Sequence, residues 1–141
     1  RQDPGSPYSA VIPLFITAML KGEQPVVYGD GGQSRDFTYV ADVARGNLLA
    51  ADADNVAGKV INVAGGRSVT LLRLLNALNE MLGTDITPKF EPARAGDVRE
   101  SLADISLARS LLNYEPTIEF EEGLRRSIEY YKSIITAASS C

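Results

Sequence analysis

A cation and several aromatic rings crowd one stretch, Val26-Val27-Tyr28-Gly29-Asp30-Gly31-Gly32-Gln33-Ser34-Arg35-Asp36-Phe37-Thr38-Tyr39-Val40. A guanidinium can clasp a phosphate with two parallel hydrogen bonds. A tyrosine or phenylalanine ring offers a flat base a surface to stack on. Val26 to Tyr28 and Phe37 to Val40 are β-prone, and Gly29-Asp30-Gly31-Gly32 supplies the positive-φ positions of a tight turn. The stretch is therefore expected to form a hairpin, with Tyr28, Arg35 and Phe37 near its two ends. The same residues also fit a plain surface hairpin whose arginine is simply solvated.

A second group is Arg94-Ala95-Gly96-Asp97. Gly96 lets the backbone turn, and Arg94 and Asp97 can project to one side of the loop. A cation and an acceptor at that spacing suit a phosphate and an adjacent sugar hydroxyl. They equally suit a loop salt bridge worth under about 1 kcal/mol. A third group is Tyr8-Ser9-Ala10-Val11, at the start of an apolar helix. Its free backbone groups could read the edge of a base or could be an ordinary helix start.

What the chain lacks narrows the chemistry. It has 141 residues and no histidine, which removes the commonest general base and metal ligand and any Ser/His/Asp set. No Cys/His/carboxylate cluster has metal spacing. There is no Gly-x-Gly-x-x-Gly fingerprint, and no tyrosine is followed four residues later by lysine. The net charge of −4 supplies no basic field for nucleic acid or an acidic membrane. The longest apolar run, Val11 to Leu20, is too short to span a bilayer. The one cysteine, Cys141, leaves no disulfide framework and points to a reducing cytoplasm. Hydrophobic residues make up 45% of the chain, enough for a core.

Arg1 to Pro7 reads as a loop, without an initiator methionine or a first strand, and suggests a piece of something longer. Ser9 is expected to cap a helix over 10–21, with Pro13 in its first turn and Gly22 as its stop. Its apolar residues point to nearly all sides, predicting deep packing. Asp42 is expected to open a second helix, over 42–54, with Val43, Leu48 and Leu49 on one apolar face. Lys59 to Ala64 reads as a strand covered on both faces. Thr70 caps a leucine-rich helix over 71–82 that stops at Gly83. Ile86 to Phe90 alternates like a strand, and Ser106 is expected to cap a short helix to Leu112. A final amphipathic helix runs over 121–137, carries Leu124, Ile128, Tyr131 and Ile135 on one face, and leaves 138–141 as a frayed tail. The fold class is α/β, with three short strand regions between apolar helices. The strand at 60–63 wants neighbours that this chain hardly supplies.

Together, several stretches resemble the C-terminal, substrate-binding portion of an extended short-chain dehydrogenase/reductase, and more narrowly the NAD-dependent nucleotide-sugar 4-epimerases. They are Arg1 to Pro4, Pro7 to Pro13, Tyr28-Gly29-Asp30-Gly31, Ser34 to Ala44, Ile61-Asn62-Val63-Ala64 and Arg94 to Val98. The resemblance implies a Rossmann domain for NAD, largely absent here, and a smaller UDP-sugar domain covering 1–137. The segment 40–66 would pack on the NAD-binding domain. It implies that Arg35 and Arg94 bind the pyrophosphate, that Tyr28 and Phe37 flank the uridine, and that Asp97 bonds the ribose. Ala10 and Val11 would present backbone to the uracil. Ser101, four residues after Asp97, would sit by the hexose 2-substituent and leave room for an N-acetyl group. The family's catalytic Tyr-x-x-x-Lys is not matched in this chain, which alone is expected to be inactive. The reaction implied is C4 inversion, in which hydride passes to NAD and returns to the other face. A homodimeric, cytoplasmic parent enzyme is the corresponding expectation. A related dehydratase or decarboxylase, or a non-catalytic nucleotide-binding or assembly module, would share these features.

Overall fold

A computed structural model describes residues 2–3 and 10–139. The chain divides into two compact units, each built from separated segments. Unit one takes the described parts of Arg1–Gln33 and Leu124–Cys141 together with Thr70–Asp97; unit two takes Ser34–Val69 and Val98–Gly123. The mixed α/β class expected from the sequence is borne out.

In unit one, helix α1 (Val11–Leu20) buries Pro13, Phe15, Ile16 and Met19 and ends where Gly22 adopts φ 74°. It is not packed all round: Leu14 is 44% exposed. The expected Ser9 cap lies outside the described residues. Helix α3 (Leu71–Leu82) begins and ends as the sequence predicts. The Thr70 hydroxyl accepts a hydrogen bond from the Arg73 amide, and Gly83 closes the helix at φ 66°. Leu71, Leu74, Leu75 and Leu78 are buried, as their spacing requires. Helix α5 (Phe120–Ser139) runs past its expected end and contributes buried Leu124, Ile128 and Tyr131 to this unit.

The hairpin is not formed. Strand β1 (Val26–Tyr28) pairs instead in parallel with β4 (Lys89–Glu91), in the register Val26↔Lys89, Val27↔Phe90, Tyr28↔Glu91. The predicted strand at 86–90 therefore shifts toward its C-terminal end. Strand propensity marks a chain that fits a pleated, half-buried surface, and the partner is chosen by packing. Here that partner lies some sixty residues away.

In unit two, β2 is only Ser34–Arg35, and β3 is Val69–Thr70, whose Val69 lies in the same unit. Phe37 to Tyr39 form no strand, and Val40 already opens helix α2 (Val40–Asp52). Asp42, expected at the helix start, sits in its first turn and is only 1% exposed. Leu48, assigned to the apolar face, is exposed instead. Lys59 to Ala64 has no ladder partner among the described residues, and Val60 is 90% exposed, so it is not a strand covered on both faces in this chain. Helix α4 (Ser106–Leu112) is preceded by Asp104, whose carboxylate accepts from the Ser106 amide at 2.9 Å. Ser106, expected as the cap, is instead the first helical residue, and its amide is met by Asp104 from one residue before the N-cap Ile105. The core of this unit is Ala64, Ile105, Ala108, Leu112 and Tyr114.

Candidate functional site

Unit one brings together Tyr28, Arg94 and Asp97. The parallel pair ends with both strands side by side, and the Gly29 amide donates to the Glu91 carbonyl at 2.9 Å. Gly29 then turns the chain away with φ 78°, a conformation that favours glycine. Three residues past Glu91 comes Arg94. Its carbonyl accepts from the Asp97 amide at 3.2 Å, with Gly96 at φ 80° in the third position of the turn. A positive φ there is the mark of a type II turn. The loop carries the Arg94 guanidinium over the Tyr28 ring, 3.6 Å from its centroid. Tyr28 is half-buried and Arg94 is exposed.

Beneath this pair lies a residue that the sequence reading missed. The Gln33 side-chain amide donates to the Tyr28 carbonyl at 2.6 Å. Gln33 is 6% exposed, and its Oε1 has no hydrogen-bond partner among the described residues. Gly31 shares the turn: a side-chain carbon there would fall 2.8 Å from the Leu72 side chain. At the start of α1, the exposed Ala10 amide is taken by the Gln2 side chain at 2.9 Å, and Val11 is half-buried.

Unit two holds Arg35, Phe37 and Ser101. Arg35 Nη1 donates to the Ser34 carbonyl at 2.8 Å and to the Val98 carbonyl at 2.6 Å. The chain after Val98 runs beside β2, where Ser34 forms a parallel bridge with Glu100 and the Ser101 amide donates to the Ser34 carbonyl at 3.2 Å. Arg35 and Ser101 are thus brought close through Ser34. Phe37 stacks on Phe120, with ring centroids 5.8 Å apart and planes 28° from parallel. The two rings line a small cleft whose lining also includes Arg67 and Glu119, which pair with one another.

Two carboxylates frame this unit, and the sequence reading gave neither a partner. Asp36 accepts from the amides of Gly65, Gly66 and Ala103 at 3.0, 2.9 and 3.4 Å. A side-chain carbon on Gly65 would lie 2.8 Å from the Asp36 carboxylate. Asp42 accepts from the amides of Thr117 and Ile118, the Thr117 hydroxyl and Arg45, at 2.8 to 3.1 Å. Burial pushes the Asp42 carboxyl upward, but the donors from Thr117, Ile118 and Arg45 outweigh it and bring its pKa down to about 2. For Asp42 the cue in the sequence is an acid within the otherwise apolar run Val40 to Ala44. No cluster of His, Cys, Asp or Glu among the described residues could hold a metal.

Of the eight positions singled out in the sequence, Ala10, Val11, Tyr28, Arg94 and Asp97 belong to unit one, and Arg35, Phe37 and Ser101 to unit two. The hairpin expected to join Tyr28 to Arg35 and Phe37 does not exist. The geometry in unit one offers a cation lying on an aromatic face, and that in unit two a cation on a carbonyl pair.

Residues 1–64 match the model of the NAD dependent epimerase/dehydratase family. The UDP-N-acetylglucosamine 4-epimerase of Methanobrevibacter ruminantium M1, solved with UDP-N-acetylmuramic acid, is 47% identical over 95% of this chain and 43% of its own, with a TM-score of 0.88. The UDP-glucose 4-epimerase of Thermotoga maritima, solved with UDP-glucose, is 39% identical over 96% of this chain and 43% of its own, with a TM-score of 0.89. The UDP-glucuronic acid 4-epimerase of Bacillus cereus, solved with UDP-glucuronic acid and NAD, is 33% identical over 95% of this chain and 42% of its own, with a TM-score of 0.88. Curated relatives carry epimerase, decarboxylase and dehydratase names. The chain is a mixed α/β module similar in sequence and fold to these epimerases, and it spans about two fifths of the length of the relatives that it matches.

Proposed function

We propose that this chain is the UDP-sugar-binding part of an NAD-dependent nucleotide-sugar 4-epimerase. The observation that carries the reading is the likeness to solved 4-epimerases over 95–96% of the chain, at up to 47% identity. In this reading Arg94 and Arg35 hold the pyrophosphate and Asp97 the ribose. Tyr28 and Phe37 supply ring faces, and the start of α1, at Ala10 and Val11, supplies backbone to the base. NAD, held by the rest of such an enzyme, would accept and return the C4 hydride. The residues of this chain bind the nucleotide handle and leave the sugar free to turn, which is uniform binding rather than transition-state chemistry.

The segment 40–66 packs on the NAD-binding domain in this reading. Its support is the exposure of Val40, Leu48 and Val60, apolar residues that would otherwise face water. Ser101 is exposed, small and next to Arg35 through Ser34, which suits an N-acetylated hexose. The high identity to a UDP-N-acetylglucosamine 4-epimerase supports UDP-GlcNAc and UDP-GalNAc as the pair interconverted. In the full-length enzyme, Ser101→Tyr should abolish turnover of the acetylated pair and spare the glucose pair. Equal loss of both would remove Ser101 from the sugar.

The direct test is calorimetric titration of the chain with UDP. A charge-assisted contact is worth about 1.5–3 kcal/mol, so Arg35→Ala should weaken binding by about ten- to a hundredfold. A folded chain that ignores UDP would overturn the reading for this chain. The decarboxylase and dehydratase names among the relatives favour a second reading that keeps the same handle but changes the reaction. Chromatography of the full-length enzyme's products separates the two, because only epimerisation conserves the mass of the sugar.

A further inference from the structure

We propose that Arg94 is a displaceable plug on Tyr28 that makes the site select nucleotides carrying phosphate over bare nucleosides. The proposal rests on the reading above and assigns Arg94 a second role, in the ligand-free state. The guanidinium lies 3.6 Å from the centre of the Tyr28 ring, so it covers the ring face on that side. A base cannot stack there until Arg94 leaves.

The two partners are held very differently. Tyr28 is fixed by its ladder register with Glu91, by the 2.6 Å hydrogen bond from the buried Gln33 side-chain amide to its carbonyl, and by the hydrogen bond that the Gly29 amide donates to the Glu91 carbonyl. Arg94 is exposed and sits in a four-residue turn, and its side chain makes no ion pair or hydrogen bond among the described residues. The arginine is therefore the part that moves.

The exchange favours a phosphate. An exposed guanidinium–ring contact is worth only about two- to fivefold in an equilibrium constant. A guanidinium–phosphate contact is worth about ten- to a hundredfold. A nucleoside diphosphate thus draws Arg94 off the ring with its own charge and then uses the uncovered face. A nucleoside must displace Arg94 with nothing in return. The same side chain rewards one ligand and penalises the other.

The test compares UDP with uridine on the wild-type chain and on Arg94→Ala, by calorimetry. UDP should bind the variant about ten- to a hundredfold more weakly, while uridine should bind it about two- to fivefold more tightly. Uridine affinity that is unchanged or lower in the variant, alongside weakened UDP, would overturn the plug and leave the phosphate role of Arg94 standing. A wild-type chain that binds neither ligand would overturn the nucleotide reading and the plug with it. Proton NMR gives an independent reading of the contact. The Arg94 side-chain resonances should be ring-shifted in the free protein, and should lose that shift in Tyr28→Leu and on adding UDP. A shift that survives saturation with UDP would refute displacement.

Discussion

Replacing Asp42 by asparagine should remove the pin that holds α2 to the chain around Thr117, and most of the cost should be lost in acid. Both Asp42 oxygens accept backbone amides of Thr117 or Ile118, at 2.9 to 3.1 Å, and Oδ1 also takes the Thr117 hydroxyl at 2.8 Å and Arg45 at 2.9 Å. An asparagine NH₂ in either orientation would face one of those amides donor to donor. The carboxyl titrates at about 2 instead of 3.8. That displacement corresponds to about 2.5 kcal/mol of folding stability, at 1.36 kcal/mol per pH unit. Because the folded-state pKa is depressed, this stability is complete above about pH 4 and drains away as pH falls through about 2. Urea unfolding of wild type and Asp42→Asn should therefore differ by about 3 kcal/mol at pH 7. Near pH 2 the gap should shrink to about 1 kcal/mol or less. Other acids titrate in both proteins, so the gap isolates Asp42. A gap that stays constant from pH 7 to pH 2 would refute the idea that the charged form does the pinning.

Three further substitutions probe neighbouring claims. Tyr114→Phe removes the buried hydroxyl that donates to the Ala64 carbonyl at 3.0 Å; it should cost about 1 kcal/mol and lower Tm by roughly 3 °C in a thermal melt. Gly46→Ala would place a methyl 2.5 Å from Val63 Cγ1, and overpacking of this kind should cost about 1–3 kcal/mol in denaturant unfolding. Gly96→Ala forces an L-residue to φ 80°, which should cost about 1–2 kcal/mol locally. Its unfolding midpoint should fall, and UDP titration should show weaker binding because Arg94 loses its turn.

Features coded by neighbouring residues were legible without coordinates. Thr70, the leucine spacing and Gly83 lie within a single run, and the helix starts and stops where they say. Gly96 and the turn from Arg94 to Asp97 belong to the same class, since a positive-φ residue and a four-residue turn are local geometry. The resemblance of the scattered motifs pointed to the epimerase/dehydratase fold, and the solved relatives bear that out over nearly the whole chain.

What depended on distant partners was not legible. β1 looked like half a hairpin because glycines and a second β-prone run followed it. Its ladder partner is Lys89–Glu91, and nothing in Val26 to Tyr28 encodes that choice. Phe37 to Tyr39 have strand propensity but form no ladder, in a stretch where the Asp36 carboxylate and the Thr38 hydroxyl both bind the Gly65 amide. Asp42 reads as a helix-starting acid and becomes a buried pin because donors arrive from 75 residues away. Propensity, caps and turn chemistry are properties of a few adjacent residues, so the sequence alone determined the helices and the turn that carries Arg94. Strand pairing and the burial of a charge are set by which surfaces meet, and only the tertiary structure decided those, including the meeting of Arg94 with the Tyr28 ring.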